Sequence, residues 1–260
     1  MKNIVIITSI VLSATACGSA PANTANIAEP SANRPAANAV ANSNTSFNSN
    51  AAPTTGVKVT APSDHKFGTE GIPKGWKWID AEAATKGPVK YDTSGGTLKI
   101  VVPSGKDMFG DNRTAPHMIQ AIEGDFQIET RVKFDPKSDY QGAGLFINID
   151  GNNYVRLERA FGGLNGGESG IRLDARTAGD YNPVTSPSAV PTNAKSVDLK
   201  ILRTGKTLYA FWRLDENAEW KEIGDVEFDF PVTVQAGIIA CNTGPEIPVE
   251  FSYIKLAPAV

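Results

Sequence analysis

The chain has 260 residues, 41% of them hydrophobic and 20% charged, a globular composition with room for one or two domains. Its net charge of -3 offers no cluster of Lys and Arg to neutralise phosphates, which argues against nucleic acid as a partner. The two cysteines and two histidines (Cys17, His65, His117 and Cys241) fit no zinc-ligand spacing.

In chain order, the first signal is one for export. Lys2 gives a positive start, Ile4 to Leu12 is a mostly apolar run, and small residues follow up to Cys17. The run is far shorter than the ~20 residues needed to span a bilayer. Ala14-Thr15-Ala16-Cys17 resembles a bacterial lipobox, which implies cleavage after residue 16, S-lipidation of Cys17 and a membrane-anchored envelope lipoprotein. The alternative is a soluble export signal cut at the same place. Gly18 in the next position favours the outer membrane if the cell is Gram-negative. A lipidated Cys17 also leaves Cys241 as a free thiol, with no intramolecular disulfide.

Residues 17–62 read as a tether. Positions 18–62 hold 12 Ala, 8 Asn and 5 Pro, with Glu29, Arg34 and Lys58 as the charges. So few large apolar side chains cannot offset the entropy of ordering, and disorder is expected. A flexible coil of that length spans roughly 35–40 Å. The rest, 63–260, carries 22 basic against 27 acidic residues, so contact with the membrane is expected through the lipid alone.

From residue 63 onward, short runs separated by turn residues predict an all-β, antiparallel domain. The predicted strands are Val89–Tyr91, Thr97–Val102, His117–Ile122, Phe126–Phe134, Gly144–Ile149, Tyr154–Phe161, Gly170–Arg176, Ser196–Leu202, Thr207–Leu214, Trp220–Ile223, Val232–Cys241 and Glu250–Leu256. Period two assigns their faces. Phe126, Ile128, Thr130, Val132 and Phe134 point to a core, as do Leu145, Ile147, Ile149, Val155 and Leu157. Tyr154, Arg156 and Glu158 share the opposite, wetter face. Asp150 to Asn153 tolerate positive φ and predict a hairpin. Trp76 and Trp78 are expected to seal an edge of the sandwich.

Five blocks carry a resemblance: GDFQIETRVKF, QGAGLFINIDGNNYVRLERA, LYAFWRLDENAEW, AGIIACN and FSYIKL. In this order and spacing they resemble the bacterial concanavalin A-like domain of unknown function. That domain is similar to the accessory C-terminal β-sandwich of family 43 β-xylosidases. The likeness runs from Gly75 to Leu256. It implies a two-sheet antiparallel jelly roll whose curved sheet, in related folds, often binds carbohydrate on its concave face. No block is catalytic, and the β-propeller that carries xylosidase chemistry has no counterpart here.

Several chemistries can be weighed on the residues. Glu123, Asp125 and Glu129 superficially resemble the carboxylate cluster of laminarinase-type hydrolases, but Asp125 and Glu129 would sit roughly 13–14 Å apart along a strand. Glycoside hydrolysis needs separations of about 5–9.5 Å. Neither histidine lies in a serine or cysteine nucleophile motif, and Cys241 reads as a packing residue. Gly162-Gly163-Leu164-Asn165-Gly166-Gly167 opens no helix and reads as a rim loop, not a phosphate cradle. Ca2+ is a minor candidate on the oxygen donors Asp150, Asn152 and Asn153, which the hairpin explains without a metal.

The leading site is a sugar platform, because sugar binders pair aromatic faces with planar polar groups. Tyr154, Arg156 and Glu158 would form one row, continued by Asn148, Arg172 and Asp174, with Trp212 and Trp220 as nearby aromatics. The plainer reading is a cross-strand charge cluster with core tryptophans. The expected function is non-catalytic binding of a glycan or polysaccharide. A protein-interaction or adhesion module of the envelope is the alternative, with a glycoside hydrolase behind it.

Overall fold

A computed structural model describes residues 55–68, 71–163 and 167–259. The export signal, Cys17, most of the tether and Leu164 to Gly166 lie outside the described residues. Two eight-stranded sheets stack face to face. The front sheet runs β1 (Val57–Lys58), β8 (His117–Glu123), β17 (Thr233–Cys241), β10 (Gln141–Asp150), β11 (Asn153–Phe161), β12 (Ser169–Thr177) and β13 (Asp180–Thr185). Strand β3 (Lys77–Ile79) also pairs with β8. The back sheet runs β16 (Lys221–Glu227), β15 (Thr207–Arg213), β14 (Ser196–Thr204), β9 (Phe126–Lys133), β18 (Ile247–Ala257), β5 (Leu98–Val102) and β4 (Tyr91–Asp92). Strand β2 (Ser63–Lys66) pairs with β18. A small hairpin, β6 (Met108–Phe109) and β7 (Asn112–Arg113), stands apart from both sheets. The one helix among the described residues, α1 (Ala83–Lys86), is a single turn. This is the expected all-β jelly roll.

Alternation builds the back sheet. Along β9 the residues Phe126, Ile128, Thr130 and Val132 are buried, and their neighbours are wetter. Phe126, Ile128 and Val132 meet Leu145, Ile147, Val155 and Leu157 of the front sheet in one core with Leu199, Ile201, Trp212 and Phe251. Each such large side chain contributes about 1.5–3 kcal/mol on burial. The Asp150–Asn153 hairpin closes as expected: Asp150 Oδ1 accepts the Asn152 N–H at 2.7 Å and the Asn153 amide at 3.0 Å.

The front sheet departs from the expected pattern, because β10, β11 and β12 are buried on both faces. On the outer face Met108, Ala115, Ile119, Phe146, Tyr154, Ile239 and Cys241 make a second, smaller core under the β6–β7 hairpin. Tyr154 therefore stands at 1% exposure, where a wet face was expected. Its hydroxyl donates to the Met108 carbonyl. Arg113 fastens the other arm of the hairpin by donating to the Gly151 carbonyl through Nε at 3.0 Å.

Two further corrections concern extent. Order begins ahead of residue 63, since Val57 pairs in parallel with Ile122. A Cβ on Gly56 would lie 2.8 Å from the Glu123 backbone nitrogen, so only glycine admits this approach. Strand β13 is not legible in the sequence because Asn182 and Pro183 weaken its pattern, which an edge strand tolerates. Finally, Glu123 ends a front strand, whereas Glu129 lies on a back strand. Asp125 between them accepts the Gly205 N–H at 2.8 Å. These three do not form a carboxylate pair.

Candidate binding cleft

The outer face of the front sheet carries a paired arginine lattice. Register places Arg156 opposite Asp174 and Glu158 opposite Arg172 across β11 and β12. Arg156 donates through Nε and Nη2 to the two Asp174 oxygens, each at 2.9 Å. Arg172 donates to Glu158 Oε2 through Nε at 3.1 Å and Nη2 at 2.6 Å. Its Nε also lies 3.3 Å from Asp174 Oδ2. Burial alone would lower the Arg156 pKa, but Asp174 and Glu158 outweigh it and hold the group well above the ordinary arginine value. Burial likewise works to raise Glu158, and the two guanidinium groups overcome it and keep the carboxylate below its ordinary range. Arg156, Arg172 and Glu158 are therefore charged at neutral pH.

The lattice is packed too tightly for a side chain beside it. A Cβ on Gly142 would fall 2.6 Å from both Arg172 Nη2 and Glu158 Oε2. Cys241 is buried as expected, but it belongs to this floor and not to the main core. Arg156 Nη1 points to its Sγ at 3.5 Å. Burial, followed by the Glu158 charge, pushes the thiol far above its ordinary pKa, so it stays protonated.

Above this floor opens a cavity of about 240 Å³ lined by Asp107, Phe109, Tyr140, Arg156, Arg172 and Tyr181. Phe109 and Tyr140 are each 47% exposed, unusual for rings of that size. Phe109 meets Tyr181 edge to face, with centroids 5.3 Å apart. The Tyr181 hydroxyl reaches Asp174 Oδ2 at 3.4 Å, tying the wall to the floor. Tyr140 holds a left-handed φ of 65°, a conformation that a bulky residue adopts at a cost. Asp107 lies 3.9 Å from Arg156 Nη1, and burial raises its carboxyl above the usual range. A second cavity of about 390 Å³ adjoins the first and shares Arg172 and Tyr181 with it.

The residues predicted from sequence are thus sorted. Arg156 and Arg172 line the cleft, and Glu158 and Asp174 hold them from beneath. Tyr154 supports the hairpin, with its ring 5.6 Å from the Arg156 guanidinium. Asn148 is 8% exposed and pairs with Gln235 at 2.9 Å, away from the lining. Trp212 belongs to the main core. Trp220 follows β15 on the back sheet, where Arg213 and Lys200 stand 4.3 and 4.5 Å from its ring. Neither tryptophan reaches the cleft, because the strands flanking them pair into the other sheet. Asp107, Phe109, Tyr140 and Tyr181 were missed. A legible signal existed: Asp139-Tyr140 and Asp180-Tyr181 each set an aromatic in a turn-rich stretch, and Phe109-Gly110-Asp111-Asn112 is a hairpin turn. Of the Ca2+ candidates, Asp150 accepts from the Asn152 N–H and the Asn153 amide, and Asn153 Oδ1 accepts the Ala178 N–H at 2.9 Å. Among the described residues no three His, Cys, Asp or Glu side chains are grouped to hold a metal.

Two stacked, almost wholly antiparallel sheets define a jelly-roll β-sandwich, with an aromatic-walled cleft on one outer face. The chain belongs to the family described as Protein of unknown function (DUF1349), whose model matches residues 85–259. No curated protein matches it. Among solved structures, a functionally unknown protein from Saccharomyces cerevisiae is 16% identical with a TM-score of 0.59, over 72% of this chain and 97% of the other. The GH43 protein of Bacillus licheniformis gives 0.61 at 13% identity, over 75% of this chain and 39% of that one. This chain therefore spans about two fifths of that protein's length. Lectin I-B4 from Griffonia simplicifolia gives 0.50 at 11% identity, over 77% and 100%. These likenesses bear on the fold alone.

Proposed function

We propose that this protein is a non-catalytic glycan-binding module, held at the cell envelope by a lipid on Cys17. The observation that carries the reading is the cleft itself. Three aromatic rings wall a cavity whose floor is two guanidinium groups fixed by buried carboxylates. Rings offer faces for the apolar CH surfaces of a sugar, and pre-oriented planar groups offer hydrogen bonds to its hydroxyls. The lectin and GH43 likenesses support the same reading. Among the described residues, Asp107 is the one carboxylate lining the first cavity. Glycan arrays and affinity electrophoresis test the reading, with Phe109→Ala and Tyr140→Ala as controls. Retardation by at least one polysaccharide that both variants lose is expected; equal retardation of wild type and variants refutes the cleft as the site. For the anchor, metabolic labelling with a fatty acid is expected to mark the wild type and to spare Cys17→Ser.

A further inference from the structure

The two cavities share a wall. Tyr181 and Arg172 line both the 240 Å³ space beside Phe109 and the 390 Å³ space beside Pro183, Val184 and Ala189. Each alone lies near the lower end of the about 300–1,000 Å³ typical of ligand sites, and together they fall well inside it. The lining also has a definite charge character. Its cations, Arg156 and Arg172, are each committed to a buried carboxylate through two donors. The carboxylate among the described lining residues is Asp107. An anionic ligand would meet no unpaired cation among the described lining residues and one extra carboxylate.

We infer that the two cavities are adjacent subsites for one neutral oligosaccharide of at least two rings, with Tyr181 at the junction. This rests on the glycan-binding reading above. One ring fills the space between Phe109, Tyr140 and Tyr181. The next lies against Pro183 and Val184, and Arg172 reaches hydroxyls of both. Hexuronate chains are disfavoured because Asp107 repels their carboxylates and both guanidinium groups are already charge-paired with Asp174 and Glu158.

Calorimetric titration of the full chain tests this, using neutral β-linked pentose and hexose oligosaccharides of one to four units and hexuronate oligomers of equal length. Affinity is expected to climb about tenfold or more between one unit and three, and hexuronates to bind at least about tenfold more weakly. Ala189→Trp, an exposed position on the second cavity, is expected to flatten the climb. A flat length dependence in the wild type, hexuronates matching neutral chains, or a climb that survives Ala189→Trp overturns the two-subsite inference and leaves glycan binding standing. No titration with any saccharide overturns both.

Discussion

Arg156 grips Asp174 with two parallel hydrogen bonds of 2.9 Å on a sheet face where both side chains are almost wholly buried. The pair sits between the cleft and a second layer of packing, so it serves shape and stability together. Removing Arg156 leaves the buried Asp174 with only the longer contacts to Arg172 Nε at 3.3 Å and the Tyr181 hydroxyl at 3.4 Å. Arg156→Met is expected to cost about 3–5 kcal/mol, whereas Arg156→Met with Asp174→Leu recovers much of the loss. Arg156→Lys also falls short, because an ammonium cannot make the two-pronged contact. Urea unfolding of the four proteins measures the set.

Gly142 sets the space beneath Arg172 and Glu158. Gly142→Ala places a methyl group 2.6 Å from both and forces the pair apart. A loss of about 1–3 kcal/mol is expected from thermal or urea unfolding. Glycan affinity is expected to fall with it, since Arg172 lines both cavities.

Tyr140 separates stability from binding. Its left-handed backbone carries strain that glycine relieves, so Tyr140→Gly is expected to raise stability by about 0.5–1 kcal/mol. The same change removes a wall of the cleft, and binding is expected to drop by about tenfold or more. Opposite movements of the unfolding midpoint and the dissociation constant are the diagnostic result. A Tyr140→Gly protein that binds normally removes this ring from the site.

His117 governs stability in mild acid. Burial depresses its pKa from 6.5 to about 4, while its Nδ1 contacts the Ala115 carbonyl at 2.9 Å. The unfolded chain takes up the proton near pH 6.5 and the folded one does not. Stability from this group is thus complete above pH 6.5 and declines by up to about 3 kcal/mol as pH falls toward 4. Urea midpoints across that window are expected to drop for the wild type. In His117→Gln the drop is expected to start only lower, where carboxylates such as Glu158 begin to protonate.

Arg159 is a buried cation with carbonyl partners. It donates to the Ala194, Ala160 and Gly170 carbonyls and to Ser169 Oγ, and burial lowers its pKa to about 10. Arg159→Met leaves those acceptors unpaired, and a destabilisation of about 2–4 kcal/mol is expected in urea unfolding.

The class of fold, most strand positions and the Asp150–Asn153 hairpin are legible in the residue order. Alternation along Phe126–Phe134 and the Asp150–Asn153 turn are local signals, since period two and positive φ are properties of neighbouring residues. The same period places Arg156, Glu158, Arg172 and Asp174 on one face. That this face is covered is a matter of tertiary packing. The hairpin at Met108–Arg113 lies more than 40 positions from Tyr154, and no periodicity within β11 can report what folds over it. The same holds for the cleft. Phe109, Tyr140 and Tyr181 come from three separate turns and edges, and chain connectivity across the sheet, not local pattern, brings their rings together. Trp212 and Trp220 went the other way for that reason: their aromatic character is plain in the sequence, but strand pairing sends their neighbourhood to the back sheet.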